Sequence, residues 1–309
     1  MCLTIRMTFH RISTFGFVSP TLVAPVPPLP SSTLPARYWE NAFLENEPML
    51  LALDVGNTNI TIGAFDGALL IGRWRLRTIR EQTADEWGVL LRNLFSLASL
   101  DLGGVDGVVI SSVVPAVDQP LTAMSQRYFE RAPMFVTPAT NLGIQVRYDN
   151  PHEVGADRLV NAVAAHQKYG GPAVVVDLGT TINFDVIAAN GDFLGGLISP
   201  GIGMSIQGLF GRTAKLPMVD FRAPEKLVGS NTVGSIQAGL YYGFVSLIDG
   251  IVERIIDELG PQTKTIATGG QGQLIVDASR FVKIYDEDLT LDGLRILWER
   301  NQHMGVHAG

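Results

Sequence analysis

Two short segments of this chain share the residue types that bind phosphate. Asp54-Val55-Gly56-Asn57-Thr58 follows the apolar run Leu50 to Leu53, and Asp177-Leu178-Gly179-Thr180-Thr181 follows Ala173 to Val176. Glycine lets the backbone turn tightly and present N–H groups to an anion, and an aspartate at a strand end can hold a metal ion or its water shell. The repeat therefore predicts two phosphate-binding loops.

Either loop alone would be weak evidence, because an aspartate and a glycine after a strand more often form an ordinary turn. Each loop, however, lies in the same context, with an apolar strand before it and a second strand-like stretch after it. Internal duplication builds two-lobed proteins with a cleft between the halves. The pair therefore favours one cleft that grips a nucleotide triphosphate from both sides.

A polar segment between the two loops, Tyr148 to Arg158, precedes the apolar run Leu159 to Ala165. It can be interpreted as a helix start, since a carboxylate such as Asp157 suits the positive end of a helix dipole. It can also be interpreted as a catalytic segment, with Asp157 as general base and Arg158 as anion clamp for phosphoryl transfer. Periodicity does not choose between these interpretations.

Two further segments leave the same choice open. Thr268-Gly269-Gly270 follows an apolar strand and could pack against an adenine or ribose, or form a simple turn. Asn231-Thr232 is typical of a helix cap, although its hydroxyl could also face a ligand. The five histidines lack metal-ligand spacing, so a zinc site is not expected.

The order of the elements predicts an α/β protein of two similar lobes, each a mixed sheet flanked by helices, with the ligand loops meeting at strand ends. The expected strands are 50–54, 61–65, 68–76, 107–110, 134–136, 173–176, 182–188, 193–198 and 265–268. The expected helices are one over Trp87 to Leu97 and others over 117–128, 159–165, 204–211, 235–259 and 289–302.

Composition excludes several classes of function. The net charge of −7 argues against a nucleic-acid-binding surface, for which a basic stripe would be expected. The single cysteine, Cys2, excludes an intramolecular disulfide and suits a reducing compartment, so we expect a cytoplasmic protein. Glycines and polar residues interrupt the uncharged stretch Leu227 to Ile248, which predicts a buried helix rather than a membrane span.

The first 48 residues differ from the rest, because they contain seven of the 17 prolines and no sustained periodicity. We expect a disordered extension there and regard Met49 as the natural start or close to it. The expected organisation is an extension over 1–48, a first lobe over 49–155, a second lobe over 156–301 and a tail over 302–309. The glycine-punctuated helix after Asn231 could form a dimer surface or the core of its lobe.

The ordered motifs resemble those of type III pantothenate kinases over about Met49 to Asn301. Both phosphate loops and the Gly-Ala-Asp-Arg block at 155–158 are the most specific part of this resemblance. The other segments that carry it are Asn150-Pro151, Pro200-Gly201, Thr213-Ala214-x-Leu216-Pro217, Asn231-Thr232 with Ser235-Ile236-Gln237, and Thr268-Gly269-Gly270. The resemblance implies the duplicated ribonuclease-H-like lobes of the actin, hexokinase and heat-shock ATPase superfamily.

The resemblance also implies an activity, the ATP-dependent phosphorylation of the terminal hydroxyl of pantothenate to 4'-phosphopantothenate at the start of coenzyme A synthesis. A cytoplasmic homodimer that needs a divalent metal such as Mg²⁺ and K⁺ or NH₄⁺ is implied with it. Asp157 would be the base, and Asp177 would bind the monovalent cation. Asp54 would bind the divalent metal, directly or through water. ATP would bind at Asp54, Val55, Gly56, Asn57, Thr58, Asn59, Gly179, Thr180, Gly269 and Gly270, and pantothenate at Tyr148, Gly155, Ala156, Asp157, Arg158 and Thr232.

One departure from the family pattern lies in the second loop. The family usually continues this loop as Gly-Thr-Ala-x-Thr, whereas this chain has Gly179-Thr180-Thr181-Ile182-Asn183. Thr181 adds bulk, and Asn183 can still donate and accept hydrogen bonds. The alternatives to a pantothenate kinase are a sugar or acetate kinase of the same superfamily and a nucleotide-binding regulator without catalytic activity, which would act through protein partners.

Overall fold

Two five-stranded sheets of the same topology form the framework of the molecule. A computed structural model describes the backbone over residues 49–213 and 216–305 and the side chains as far as residue 302, and all described residues fall in one compact unit. The strand order is β3-β2-β1-β4-β5 in the first sheet and β8-β7-β6-β9-β10 in the second. In each sheet the central strand is antiparallel to the next strand in sequence and parallel to the strand on its other side.

The first sheet consists of β1 (Met49–Val55), β2 (Asn59–Asp66), β3 (Leu69–Arg77), β4 (Val105–Ser112) and β5 (Met134–Phe135). The second consists of β6 (Ala173–Leu178), β7 (Thr181–Ile187), β8 (Phe193–Pro200), β9 (Lys264–Thr268) and β10 (Ile284–Tyr285). The matching order confirms the predicted duplication, and each predicted strand overlaps an observed one. The two-residue β10 has no counterpart in the prediction.

Seven α-helices flank the sheets in the described residues. They are α1 (Ala84–Leu97), α2 (Pro115–Tyr128), α3 (Ala156–Tyr169), α4 (Ile202–Gly211), α5 (Thr232–Leu259), α6 (Gly272–Val276) and α7 (Leu289–Gly305). A capping box between Thr83 and Glu86 starts α1, and the Asn231 side chain accepts a hydrogen bond from the Gly234 N–H at 2.8 Å to start α5. The five-residue α6 was not predicted.

Three apolar cores separate the helices and sheets into layers. Helices α1 and α2 cover the outer face of the first sheet, and α4, α5 and α6 contribute to the core on the outer face of the second. Helices α3 and α7 lie between the two inner faces, where Leu159, Val163 and Leu294 pack with residues of both sheets. The inner faces therefore share one core, and a cavity opens between them where α3 begins and the central strands end.

The two helices between the sheets connect the lobes more closely than the chain order indicates. Helix α7 belongs to the predicted second lobe, yet it packs on β1, β2 and β4 of the first sheet, and α3 packs mainly on β6 and β7 of the second. Leu291 at the start of α7 lies against Gly63 of β2. Helix α7 also continues to Gly305, beyond residue 302 where a tail was expected. The expected extension over 1–48 and the last residues, 306–309, lie outside the described part of the chain.

The apolar character of α5 follows from its packing. Among the described residues it is the one helix long and apolar enough, by length and composition, to cross a membrane. Tyr241, Phe244, Ile248, Val252 and Ile255 are buried on the second sheet, so these apolar side chains belong to a core. The prediction of a buried helix here is confirmed for that face.

Candidate active site

The site lies where the carboxyl ends of β1 and β6 meet the first turn of α3. Asp54 ends the inner-face row of β1, Asp177 ends that of β6, and Asp157 is the second residue of α3. All three line one cavity between the sheets. Other predicted residues around the same cavity are Gly56, Asn57, Thr58, Asn59, Gly179, Thr180, Gly269 and Gly270. The structure thus brings eleven predicted residues together from both halves of the chain.

The two predicted phosphate loops touch each other across this cavity. The hydroxyls of Thr58 and Thr180 are 2.9 Å apart and share a hydrogen bond. A backbone hydrogen bond closes each loop at 3.0 Å, from the Gly56 N–H to the Asn59 carbonyl in the first and from the Gly179 N–H to the Thr181 carbonyl in the second. Thr58 and Thr180 are exposed, so their hydroxyls are available to a ligand that enters between the loops.

Negative charge is concentrated at the floor of the cavity. Burial, and then repulsion by Asp157 and Asp177, raises the pKa of Asp54 to about 8, and the neighbouring Ser111 hydroxyl opposes this shift. Burial and the charge of Asp157 raise the pKa of Asp177 to about 7, while the neighbouring Asn161 amide and the charge of Arg75 act in the opposite direction. Carboxylates in this arrangement favour a bound cation, because a cation relieves both the desolvation and the mutual repulsion.

Asp157 owes its position to the start of α3. Its Oδ1 accepts a hydrogen bond from the backbone N–H of Arg158 at 2.9 Å, which fixes the carboxylate at the helix end. Burial raises the pKa of Asp157, while this hydrogen bond and the Arg158 charge lower it. A carboxylate with a raised pKa is a stronger base than an exposed one, so Asp157 can accept a proton from a hydroxyl in the cavity.

The donor set fits a divalent cation that also binds phosphate. Within the described residues, no three His, Cys, Asp or Glu side chains are grouped as a metal cage. Mg²⁺ rarely needs such a cage, since it keeps several waters and binds one or two carboxylates together with substrate phosphates. Asp54 and Asp177 supply such carboxylates beside two loops of phosphate-binding composition.

The second lobe adds a wall of backbone at Gly269 and Gly270. Gly269 has φ +87°, and a Cβ there would lie 2.7 Å from the carbonyl oxygen of Leu178, so a side chain would force the strand end to move. Both glycines line the cavity, so their predicted contact with the ligand stays a prediction that their position allows.

Six predicted site residues lie away from the cavity wall. Val55 points to the opposite face of the sheet from Asp54 and is 1% exposed in the outer core of the first lobe. Ala156 is also buried, and Gly155 lies directly beneath the Asp157 carboxylate, where a Cβ would approach Oδ1 to 2.5 Å. Tyr148 and the side chain of Arg158 lie where α3 faces β7 and β8, and Thr232 is the first residue of α5.

Arg158 is almost completely buried. Its Nε donates to the Oδ1 of Asp185 on β7 at 2.6 Å, and its guanidinium lies 5.4 Å from the ring centre of Phe193. Tyr148 packs against the same Phe193 ring and near Gly195. One nitrogen of Arg158, Nη2, is buried and without a hydrogen-bond partner among the described residues. Arg158 is therefore held by Asp185 and is not a free anion clamp in the cavity.

Thr232 is exposed and lines a different surface depression, together with Leu216, Asn231 and Ser235. Within one chain, this hydroxyl does not belong to the cavity that contains the three aspartates. The cap interpretation of Asn231 is confirmed by its hydrogen bond to Gly234.

Sequence reasoning missed several residues of the cavity wall. The missed residues are Thr61, Arg73, Arg75, Val113, Glu287, Thr290 and Leu291. Arg73 and Arg75 follow the alternation of β3, in which exposed arginines alternate with half-buried Trp74 and Leu76. That alternation is visible in the sequence, but the part of the second lobe that it faces is not.

The departure in the second loop forms an internal pair. The Thr181 hydroxyl donates to the Oδ1 of Asn183 at 3.1 Å, and both residues line the cavity. The extra hydroxyl of Thr181 thus has a partner in the amide that replaces the usual threonine.

Comparisons with known proteins give a family from sequence and a fold from structure. A family model described as type III pantothenate kinase matches residues 50–254. A protein named type III pantothenate kinase from Solibacter usitatus is 64% identical over 253 residues, which covers 82% of this chain and 97% of that protein. A protein of the same name from Myxococcus xanthus is 48% identical over 253 residues, which covers 82% of this chain and 99% of that protein. A solved structure from Campylobacter jejuni, assigned to the Baf family of transcriptional activators, has a TM-score of 0.51 and 21% identity over 82% of this chain and 99% of that one, which shows a shared fold.

Proposed function

The chain belongs to the type III pantothenate kinase family, and from that premise we propose that its cleft transfers the γ-phosphoryl group of ATP to the terminal hydroxyl of pantothenate. The product is 4'-phosphopantothenate, and the reaction is the first step of coenzyme A synthesis. The contact between Thr58 and Thr180, with Asp157 on the same cavity, is the observation that carries this proposal. It supports a phosphate chain held from both lobes with a base beside it.

In the proposed reaction, the terminal hydroxyl oxygen of pantothenate forms a bond to the γ-phosphorus while the bond to the oxygen bridging toward the β-phosphorus breaks and ADP leaves. Asp157 accepts the hydroxyl proton. Backbone N–H groups of the two loops and the hydroxyls of Thr58 and Thr180 bind phosphate oxygens, so most of the rate gain comes from positioning and charge stabilisation.

The cations are also part of the proposal. When bound, a divalent metal and a monovalent cation would offset the negative charge of the phosphates, to which the three aspartates add further negative charge. We assign the divalent metal, Mg²⁺, to Asp54, directly or through water, and K⁺ or NH₄⁺ to Asp177. The raised pKa values of both carboxyls support these assignments.

For pantothenate we propose the side of the cavity nearest α3. Gly155, Ala156 and Asp157 would contribute from the helix start, and Tyr148 would contribute its ring. The Arg158 side chain, held by its ion pair with Asp185, would support the pantothenate pocket from outside the cavity wall. Because Thr232 lies outside the cavity of its own chain, its proposed contact with pantothenate would require a second copy of the protein.

A homodimer through α5 is therefore part of the proposal. A Cβ added at Gly239 or Gly243 meets no described residue within 4 Å, and Val233 and Tyr242 are exposed on this helix. We expect Gly243→Arg to convert a dimer into a monomer in sedimentation at micromolar concentration without unfolding it. Leu97→Arg, at an exposed position on α1, is the matched control and should leave the dimer intact. A monomeric parent protein would contradict the dimer.

We further propose a soluble cytoplasmic enzyme without nucleic-acid or membrane partners, in line with the net charge of −7.

The decisive assay for function offers pantothenate, glucose and acetate separately to the purified protein with ATP, Mg²⁺ and NH₄⁺. Phosphorylation of pantothenate alone is expected. Turnover of a sugar or acetate instead would support another kinase of the superfamily, and ATP binding without any turnover would support the regulator.

A further inference from the structure

The strand register places Arg75 in line with the catalytic end of the first sheet. Ser111, Asp54, Thr61 and Arg75 are successive partners across β4, β1, β2 and β3. Residues that face each other on neighbouring strands point to the same side of a sheet, and neighbouring strands lie about 4.8 Å apart. The Cα of Arg75 is therefore about 10 Å from that of Asp54, on the face that forms the cavity.

The second lobe shows that the duplicated fold does not require an arginine at this position. The equivalent row there is Thr268, Asp177, Asn183 and Ile198. Because the two sheets have the same order, Ile198 on β8 corresponds to Arg75 on β3. Ile198 is 63% exposed. The positively charged side chain of Arg75 is thus present in one lobe and has no counterpart in the other. The duplicated fold does not explain it, so we look for its role at the ligand.

The surroundings of Arg75 point to an anionic ligand. Its Nη1 lies 2.8 Å from the position of a Cβ on Gly270, so the side chain from the first lobe reaches the backbone of the second. Arg75 also lines the cavity with Thr58 and Thr180 and lies close enough to lower the pKa of Asp177. No carboxylate among the described residues forms an ion pair with it.

The neighbouring arginine of the cavity differs in this respect. Arg73, two residues earlier on the same face, pairs with Glu287 at 2.6 Å and with Asp288 at 2.8 Å. Its charge is already compensated, and no lysine among the residues that the structure describes lines the cavity. Of the two arginines of the cavity wall, Arg75 is thus the one whose guanidinium is available to a ligand.

We propose that Arg75 binds the phosphate chain of the nucleotide, an inference that rests on the proposed kinase function. The planar guanidinium would donate two parallel hydrogen bonds to phosphate oxygens, the geometry in which arginine surpasses lysine. Since Arg75 approaches from β3 while Gly270 lies on the opposite wall, the nucleotide would join the two lobes at this point. Arg75 would thereby supply positive charge on the side of the triphosphate away from Asp157.

The test compares Arg75→Gln and Arg75→Lys with the matched control Arg77→Gln, which changes an exposed arginine two residues further along the same strand. Calorimetry measures binding of ATP, ADP and adenosine with Mg²⁺, and steady-state assays measure both KM values. We expect Arg75→Gln to weaken ATP and ADP binding roughly 10- to 100-fold and to raise the KM for ATP, as for a lost charged hydrogen bond. Adenosine binding and the KM for pantothenate should change less than about threefold. Arg77→Gln should stay within about twofold of the parent.

The ATP affinity of Arg75→Lys should fall between those of Arg75→Gln and Arg77→Gln, because lysine keeps the charge and loses the paired geometry. The Arg75→Lys variant also protects the test if Arg75→Gln fails to fold. Parent-like ATP affinity in Arg75→Lys would overturn the paired contact, and equal affinities of Arg75→Gln and Arg77→Gln would overturn the proposal. An equal loss for adenosine would assign Arg75 to the base and also overturn it. Nucleotide binding does not require an acceptor, so these results stand even if pantothenate is not the substrate.

Discussion

At the scale of single residues, the Thr181 and Asn183 pair shows how a departure from a family pattern can be compensated locally. Asn183 is 8% exposed, and its Oδ1 accepts the Thr181 hydroxyl at 3.1 Å. Removal of one partner leaves a buried polar atom unsatisfied, whereas replacement of both removes the requirement. We expect Thr181→Ala and Asn183→Thr to be coupled by about 0.5 to 1.5 kcal/mol in the free energy of unfolding. Urea denaturation of both single variants and the double variant measures this coupling, and strictly additive effects would refute it.

Arg158 and Asp185 form a buried ion pair that joins the start of α3 to β7. Both are buried, so loss of one partner leaves an uncompensated charge. We expect Asp185→Ala to lower the free energy of unfolding by roughly 3 kcal/mol. At a low temperature at which Asp185→Ala remains folded, its KM for pantothenate should rise more than its KM for ATP. Asp192→Ala provides a control, since Asp192 pairs with the more exposed Arg147. An equal rise in both KM values would contradict a role of Asp185 in positioning Arg158 for pantothenate.

At the scale of elements, the carboxyl ends of β1 and β6 bring like charges together at the start of α3. The folded state raises the pKa of Asp54 from 3.8 to about 8, so between these values the folded protein holds a proton that the unfolded chain has released. Asp54 alone should therefore make the unfolding free energy of the metal-free protein fall as pH rises from about 4 to about 8, by at most about 1.4 kcal/mol per pH unit. Asp54→Asn should flatten this slope and raise the melting temperature at pH 8.

The control for that experiment is Asp66→Asn, which changes an exposed aspartate at the far end of the β1 and β2 hairpin. Thermal melts of the parent and both variants from pH 5 to pH 8, in the presence of a chelator, provide the measurement. Asp66→Asn should keep the parent slope. A parent whose stability rises with pH over this range would contradict the predicted repulsion at the strand ends.

At the scale of the whole molecule, the parts of the fold that local pattern determines could be predicted and those that depend on contacts between the halves could not. Both loops, their strands and the helix at Asp157 follow from short-range periodicity and were found. The inward direction of Asp54 also implies that Val55 points outward, since side chains alternate along a strand. Any contact of Val55 with the nucleotide would therefore be made by its backbone, since its side chain is buried in the outer core of the first lobe.

Other features had no local signal. The apolar stripe of α7 indicates that the helix is half-buried, but not that it packs on the first sheet rather than the second. Arg75 was missed because its significance depends on Gly270 in the other lobe. Likewise, the sequence leaves the role of Arg158 open between a helix start and an anion clamp, because its partner, Asp185, lies on β7 in the second half of the chain.

The central claim is that one carboxylate of the cleft, Asp157, accepts the proton of a hydroxyl during phosphoryl transfer from a nucleotide held by both lobes. Asp157→Asn tests it most directly, with turnover of pantothenate and ATP affinity measured on the same preparation. Asp149→Asn, an exposed position shortly before α3, is the control. We expect kcat to fall about 10²- to 10⁴-fold in Asp157→Asn while the Kd for ATP changes little. Unchanged turnover in a folded, ATP-binding Asp157→Asn protein would contradict the account.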